Sequence, residues 1–233
     1  VKTIFATLWS ARSSRIAIIS LGVIAVCAVL APLIAPYNPI AQPDIVGLKD
    51  LSPSLAHPFG TDPYSRDVLS RVIYGARLSL GIGLLATVIS ATLGVAYGAA
   101  AGLAGGIVDS VMMRILDALM AIPRLLLLIA LLAGWRTLPV ITLVLFLGLT
   151  GWFGLSRIVR GQVLALKQSE FVTAARALGA NEGRIIVTHL LPNLFSIIVV
   201  AMTLGFAHVI VLEAGLSYLG IGVPQPLASW GNI

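Results

Sequence analysis

The side chains able to do chemistry in this sequence are few and far apart. Its three histidines, His57, His189 and His208, lie scattered along the chain, and its one cysteine, Cys27, sits inside an apolar run. No Cys-His spacing suits a metal ion, so no metal site is expected. Cys27 is read as a small apolar filler rather than a reactive thiol. The sequence contains no Gly-Lys dipeptide. It therefore lacks the glycine-rich loop ending in Lys-Ser or Lys-Thr that cradles nucleotide phosphates. An intramembrane hydrolase would need a Ser-His or paired-carboxylate constellation within its apolar segments, and His208 has no obvious partner in sequence. No catalytic residue is assigned. The charged residues that remain sit at the edges of long apolar runs, or interrupt them at Arg124, His208 and Glu213. What those runs are decides what the residues can do.

Of the 233 residues 58% are hydrophobic and only 10% are Asp, Glu, Lys or Arg, with a mean hydropathy of +1.02. An average soluble domain carries about 25% charged residues. So few charges cannot cover a water-facing surface of this size, and lipid must cover most of it. The net charge of +6 fits Lys and Arg retained in cytoplasmic loops. No basic stripe with interleaved aromatics points to nucleic acid.

A helix needs about 20 apolar residues to cross a bilayer. Residues 16–43, 78–108 and 137–156 carry no charge, and 185–212 carry none beyond His189 and His208. Spans are expected at about 16–36, 78–101, 137–156 and 193–212. A further one is expected at about 111–133, entering the membrane near Pro123. The fold class is thus all-α and polytopic. Pro32 and Pro36 do not make a small-residue cleavage site, so the first run is read as a retained span. With the N-terminus inside, the cytoplasmic side holds Lys2, Arg12, Arg15, Arg114, Arg157, Arg160, Lys167, Arg176 and Arg184. The other side holds the smaller set Lys49, Arg66, Arg71, Arg77 and Arg136, which is the expected bias. The organisation follows as a cytoplasmic segment 1–15, a first span 16–36, an extracytoplasmic loop 37–77 and a core 78–233.

One long polar stretch, 157–192, interrupts the core on the inner side. Ser169 or Thr173 is placed to cap a short helix, Gly179 to stop it, and Asn181 to cap the next. Ala174 and Ala175, flanked by Phe171, Val172 and Leu178, form a small apolar ridge in water. An ordinary connector has no need for such a ridge, whereas a helix that docks in a partner's groove does.

The segment Thr173-Ala174-Ala175, three residues, Gly179, then Leu191-Pro192 resembles the EAA loop of ABC importer permeases. It departs from that pattern at Thr173, where the pattern has Glu, and at His189, where it has Ile. HPFGTDPYSRDVLSRVIYGARLSLGIG (57–83) and EAGLSYLGIGVPQP (213–226) are similar to the peptide and nickel branch, of the dipeptide permease C type. The resemblance covers nearly the whole chain. It implies a type I ABC importer permease fold, with five spans of an expected six and a further helix beyond residue 233. It also implies a second permease subunit, two cytoplasmic ATPase subunits that bind ATP and Mg, an extracytoplasmic substrate-binding protein, and residence in a bacterial or archaeal inner membrane. No cofactor is expected in this chain itself. Glu170, Phe171, Ala174, Ala175, Gly179 and Pro192 are then the residues of the ATPase-coupling loop.

Three further residues are candidates for the transport pathway. Arg124 is expected to snorkel to the inner interface, the alternative being that it faces the cavity and meets a substrate carboxylate. His208 is expected to be a buried, hydrogen-bonded histidine rather than a substrate ligand. Glu213 ends its span and is placed to line the outer mouth. Arg114 and Asp117, three residues apart, are expected to pair on one helix face. Asp62, Arg66 and Asp67 are expected to make local ion pairs, or to contact the binding protein. The glycines at 81, 83, 94, 98, 102, 105 and 106 are read as helix-packing positions. A self-contained secondary carrier or channel is the competing function. It predicts inverted repeats or a chain of intramembrane acids, and neither is found.

Overall fold

The computed structural model describes residues 11–135 and 139–233. Lys2 and Arg136 of the orientation tally, and the start of the 137–156 run, lie outside the described residues. These residues form helices and turns, with an isolated antiparallel bridge between Thr61 and Asp67. In chain order the helices are α1 (Arg12–Val29), α2 (Ala31–Ile34), α3 (Val68–Ala104), α4 (Gly106–Met120), α5 (Arg124–Leu132), α6 (Val140–Leu149), α7 (Phe153–Lys167), α8 (Glu170–Ala177), α9 (Glu182–Ile185) and α10 (Leu191–Tyr218). A π-turn, Ile186–Leu190, joins α9 to α10. Among the described residues four helical stretches are long and apolar enough to cross a membrane, or five if the bent pair α4–α5 counts as one.

Several boundaries differ from the sequence expectation, each for a local reason. The first run breaks at Leu30, because Pro32 has no N–H to offer the Ala28 carbonyl and its ring crowds that oxygen. The second helix starts at Val68, ten residues before the charge-free run. At about 1.5 Å per residue its 37 residues reach about 55 Å, well beyond a hydrocarbon core of about 30 Å. Charge marks where a helix leaves lipid, not where it unwinds. The stretch expected as one span over 111–133 is two helices bent by 74° at Ala121–Pro123. The last long helix runs to Tyr218 and so carries Glu213 within it.

Two compact units divide the chain. One comprises residues up to Gly81 together with Ser217–Ile233, and the other Ile82–Leu216. In the first unit, α1 exposes Ile16, Ile19, Leu21, Val23 and Val26, as a lipid-facing helix does. The 44–77 segment is a hydrogen-bonded structure. Thr61 donates its hydroxyl to the Leu48 carbonyl and accepts from the Leu51 N–H. Asp62 accepts from the Arg66 side chain at 2.7 Å, and Arg66 also reaches Gln225 at 2.7 Å. These are local ion pairs and tethers to the last residues of the chain. Trp230 adds to them by donating its indole N–H to the Val72 carbonyl at 3.2 Å.

Asp67 starts α3. Its carboxylate accepts from the Ser70 N–H at 2.8 Å and the Ser70 hydroxyl at 2.7 Å, and pairs with His57 Nδ1 at 2.9 Å. Burial pushes this carboxyl up, but the hydrogen bonds from Ser70 and His57 outweigh it and hold the group below its ordinary value of 3.8. A depressed folded value stabilises the native form fully above 3.8, and the gain is lost as pH falls through the lower folded value. The hydrogen-exchange protection factor of the Ser70 amide is therefore expected to fall in acid below pH 3.8. In Asp67→Asn it is expected to be lower and to lose that pH dependence.

The second unit is held by a glycine stripe. A Cβ at Gly94 would lie 3.0 Å from the Leu155 Cβ, at Gly98 2.9 Å from the Val159 Cβ, and at Gly102 2.7 Å from the Val163 Cγ1. These glycines let α7 lie against α3, and Gly83 does the same for Phe206 and Ile210. Gly81 has no such neighbour. Gly105 has φ +65° and Gly106 φ +54°, so they form the turn into α4 rather than a packing surface.

Candidate functional site

The polar stretch after α7 folds into a compact turn of helices. Ser169 holds the N-cap position of α8, yet its hydroxyl donates to the Leu166 carbonyl at 2.5 Å instead of capping. α8 ends in a Schellman arrangement. The Gly179 N–H donates to the Arg176 carbonyl at 2.9 Å and the Ala180 N–H to the Ala175 carbonyl at 3.0 Å, with Gly179 at φ +85°. Asn181 then caps α9, accepting from the Arg184 N–H at 2.8 Å. Arg176 and Glu182 close the bend with paired contacts of 3.0 and 3.1 Å.

Pro192 accounts for the π-turn that follows. Its ring cannot sit over the Thr188 carbonyl in an ordinary α-turn, and it donates nothing to that oxygen. The backbone widens so that the Leu191 N–H reaches the Ile186 carbonyl, five residues back. Asn193 donates its side-chain amide to the His189 carbonyl at 2.7 Å, which serves a carbonyl loosened by the same distortion.

The two sides of α8 have different fates. Val172 is fully buried in a cluster with Ala99, Val159, Val163, Ile185, Leu190 and Leu194. It is an anchor and not part of the exposed ridge the sequence suggested. The ridge that remains is Phe171, Ala174 and Leu178, spaced as neighbours on one helix face. Leu178 is 88% exposed. Glu170 is exposed in the first turn, and Ala175 is half-buried behind the ridge.

α7, which carries this turn, is bolted to α4. Arg160 grips Asp109 through Nε at 2.5 Å and Nη2 at 2.6 Å and Arg157 pairs with Asp117, while Lys167 donates to the Leu103 carbonyl at the end of α3. The expected Arg114–Asp117 pair does not form. Asp117 meets Arg157 of α7 instead. Asp109→Ala is expected to cost about 2 kcal/mol, in the range of a hydrogen bond to a charged group. A lower melting temperature of the purified protein checks this, with recovery in the swapped pair Asp109→Arg/Arg160→Asp.

The three candidate pathway residues sit in different settings. Arg124 contacts the end of α6. It donates through Nη2 to the Leu147 carbonyl at 2.7 Å and through Nε to the Thr150 hydroxyl at 3.3 Å. The last carbonyls of α6 lack helical partners, so they satisfy the guanidinium where it stands. Ser90 serves the next carbonyl, Gly148, at 2.8 Å. Arg124 lines a small cavity of about 40 Å³ with Thr87, Ser90, Gly151, Met202 and Gly205. His208 is exposed on α10 rather than buried, and lies within electrostatic reach of Arg124. Glu213 is fully buried and partnered, one turn before the end of α10 rather than at an open mouth. Among the described residues no group of three or more His, Cys, Asp or Glu could hold a metal ion.

Comparison with known proteins brings the site and the spans together. Residues 93–233 match the family described as binding-protein-dependent transport system inner membrane component. The oligopeptide transport system permease protein OppC of Bacillus subtilis (strain 168) is 42% identical over 227 residues, covering 95% of this chain and 73% of that protein. The dipeptide transport system permease protein DppC of the same organism is 42% identical over 206 residues, covering 88% of this chain and 63% of that protein. The chain is a multi-pass membrane protein that works with other transport components, and it belongs to the binding-protein-dependent transport system inner membrane component family.

Proposed function

We propose that this chain is the permease subunit of an ATP-driven, binding-protein-dependent importer of peptides, in which α8 receives the movement of an ATPase subunit. The observation that carries this reading is α8 itself. It is a short helix fixed to the spans by one buried valine, stopped by a glycine that no other residue replaces without strain, and presenting Phe171, Ala174 and Leu178 to water. An apolar ridge on a projecting helix fits a groove in a soluble partner. The N-terminus is cytoplasmic, which puts residues 157–192 on the side where ATP is available. Peptides are the proposed substrates because the relatives are named for oligopeptide and dipeptide transport.

The assembly consists of this chain, a second permease subunit, two ATPase subunits that bind ATP and Mg, and an extracytoplasmic binding protein. The chain contributes a pathway and a lever, and the ATPase subunits hydrolyse the nucleotide. ATPase closure pulls the α8 helices of the two permeases together. Through Val172 this motion enters the cluster of α3, α7 and α10, and the spans change which side they open to. Ala174 and Ala175 allow close approach, and Gly179 and Pro192 set the direction in which α8 points.

The test is co-purification of the full-length protein with its candidate partners, followed by ATP hydrolysis with and without the binding protein. Hydrolysis stimulated by loaded binding protein is the expected result. A chain that moves peptide alone, with no ATPase attached, would make it a secondary carrier.

A further inference from the structure

The unit Ile82–Leu216 contains a polar feature that the coupling loop does not use. Arg124 lines a small cavity of about 40 Å³ among the spans. Its guanidinium carries five N–H groups, and the contacts to Leu147 and Thr150 engage only part of that set. Among the described residues no carboxylate lies within 4.0 Å of it. A cation at membrane depth is costly, and one without a counter-ion is poised to meet an anion. Arg124 is also the first residue of α5, where the helix dipole adds positive potential.

The surroundings are close-fitting, with space for a small polar group only. A Cβ at Gly151 would come within 2.9 Å of Arg124 Nη2, so a larger residue there would crowd the guanidinium. The hydroxyls of Thr87 and Ser90 already donate to the Gly83 and Gly148 carbonyls. Their oxygens are left as acceptors on the same cavity wall. The lining thus combines a cation able to bind a carboxylate with oxygens able to accept peptide N–H groups.

We infer that the Arg124 cavity is an anion subsite that takes a carboxylate of the passing peptide. This assignment rests on the importer reading above. The test uses the full transporter in liposomes, with Cys27→Ala and Met202→Cys in this chain so that a thiol lines the cavity. The thiol is treated with an anionic (2-sulfonatoethyl) and a cationic (trimethylammonioethyl) methanethiosulfonate, each rate being normalised to that of a small free thiol. The anionic reagent is expected to react about tenfold faster, as a unit charge a few ångströms away dictates. Arg124→Gln should abolish that preference, and Arg124→Lys should keep it. Trialanine delivered by the binding protein should slow labelling, and trialanine amide should not.

Equal normalised rates with and without the arginine would overturn the assignment. So would equal protection by the acid and the amide, or no protection by either, which is the result expected if a lipid phosphate holds the arginine. Should Arg124→Gln fail to assemble, the acid and amide comparison on the Met202→Cys protein decides alone. Loss of peptide uptake with the reagent preference intact would count against the importer reading and leave the anion site standing.

Discussion

Replacing Gly179 by valine is expected to abolish uptake while leaving the protein in the membrane at its normal level. Space is not the reason, because a Cβ at Gly179 would meet nothing within 4 Å. The reason is the backbone, which holds φ at +85° to close α8 with two hydrogen bonds, Gly179 to Arg176 and Ala180 to Ala175. A side chain in that region costs about 1–2 kcal/mol, and more when it branches at Cβ. At about 1.4 kcal/mol per tenfold, a cost of about 2 kcal/mol lowers the population of the closed turn about 30-fold. The spans do not depend on that turn, so insertion is spared. A graded series separates conformation from contact. Asparagine tolerates positive φ better than alanine does although it is larger, so uptake should fall in the order glycine, asparagine, alanine, valine. A decline that follows side-chain volume instead would mean that the position matters as a contact surface and not as a turn.

What made Gly179 legible in the sequence is that its role is local. A stop for α8 and a cap at Asn181 are each decided by residues within one turn, and each is found in the fold at the expected place. The spans were legible for a related reason, since a run without charge is visible in one dimension. The less legible features depend on residues far apart in the chain. Arg114 and Asp117 are close in sequence, yet Asp117 pairs with Arg157, 40 residues away, and Asp109 with Arg160, 51 residues away. Nothing near Arg124 in sequence showed that α6 would offer it the Leu147 carbonyl. His208 was expected to be buried on composition alone, but which face of α10 it occupies depends on packing that periodicity in an all-apolar helix cannot encode. The π-turn is an intermediate case. Pro192 announces a distortion, while the choice of a widened turn over a kink depends on what the neighbouring helices allow.

Val172 and Leu178 lie on opposite sides of the same short helix, and aspartate at each is expected to stop uptake in different ways. Val172 is fully buried among apolar side chains. A carboxylate there has no partner, and burying it costs roughly 3 kcal/mol or more. In Val172→Asp α8 should leave its cluster, the purified protein should melt at lower temperature, and any ATPase that still binds should hydrolyse without responding to the binding protein. Leu178 is exposed, so Leu178→Asp should leave the melting temperature unchanged. Its effect should appear in assembly, because a charge on the ridge would have to be desolvated in the partner's groove. The ATPase should no longer co-purify. Differential scanning fluorimetry and pull-down on the two variants read these outcomes directly. A Leu178→Asp protein that holds its ATPase and transports normally would move the docking surface away from this ridge. A Val172→Asp protein that keeps both its stability and its coupling would mean that the movement of α8 enters the spans through some residue other than the buried valine.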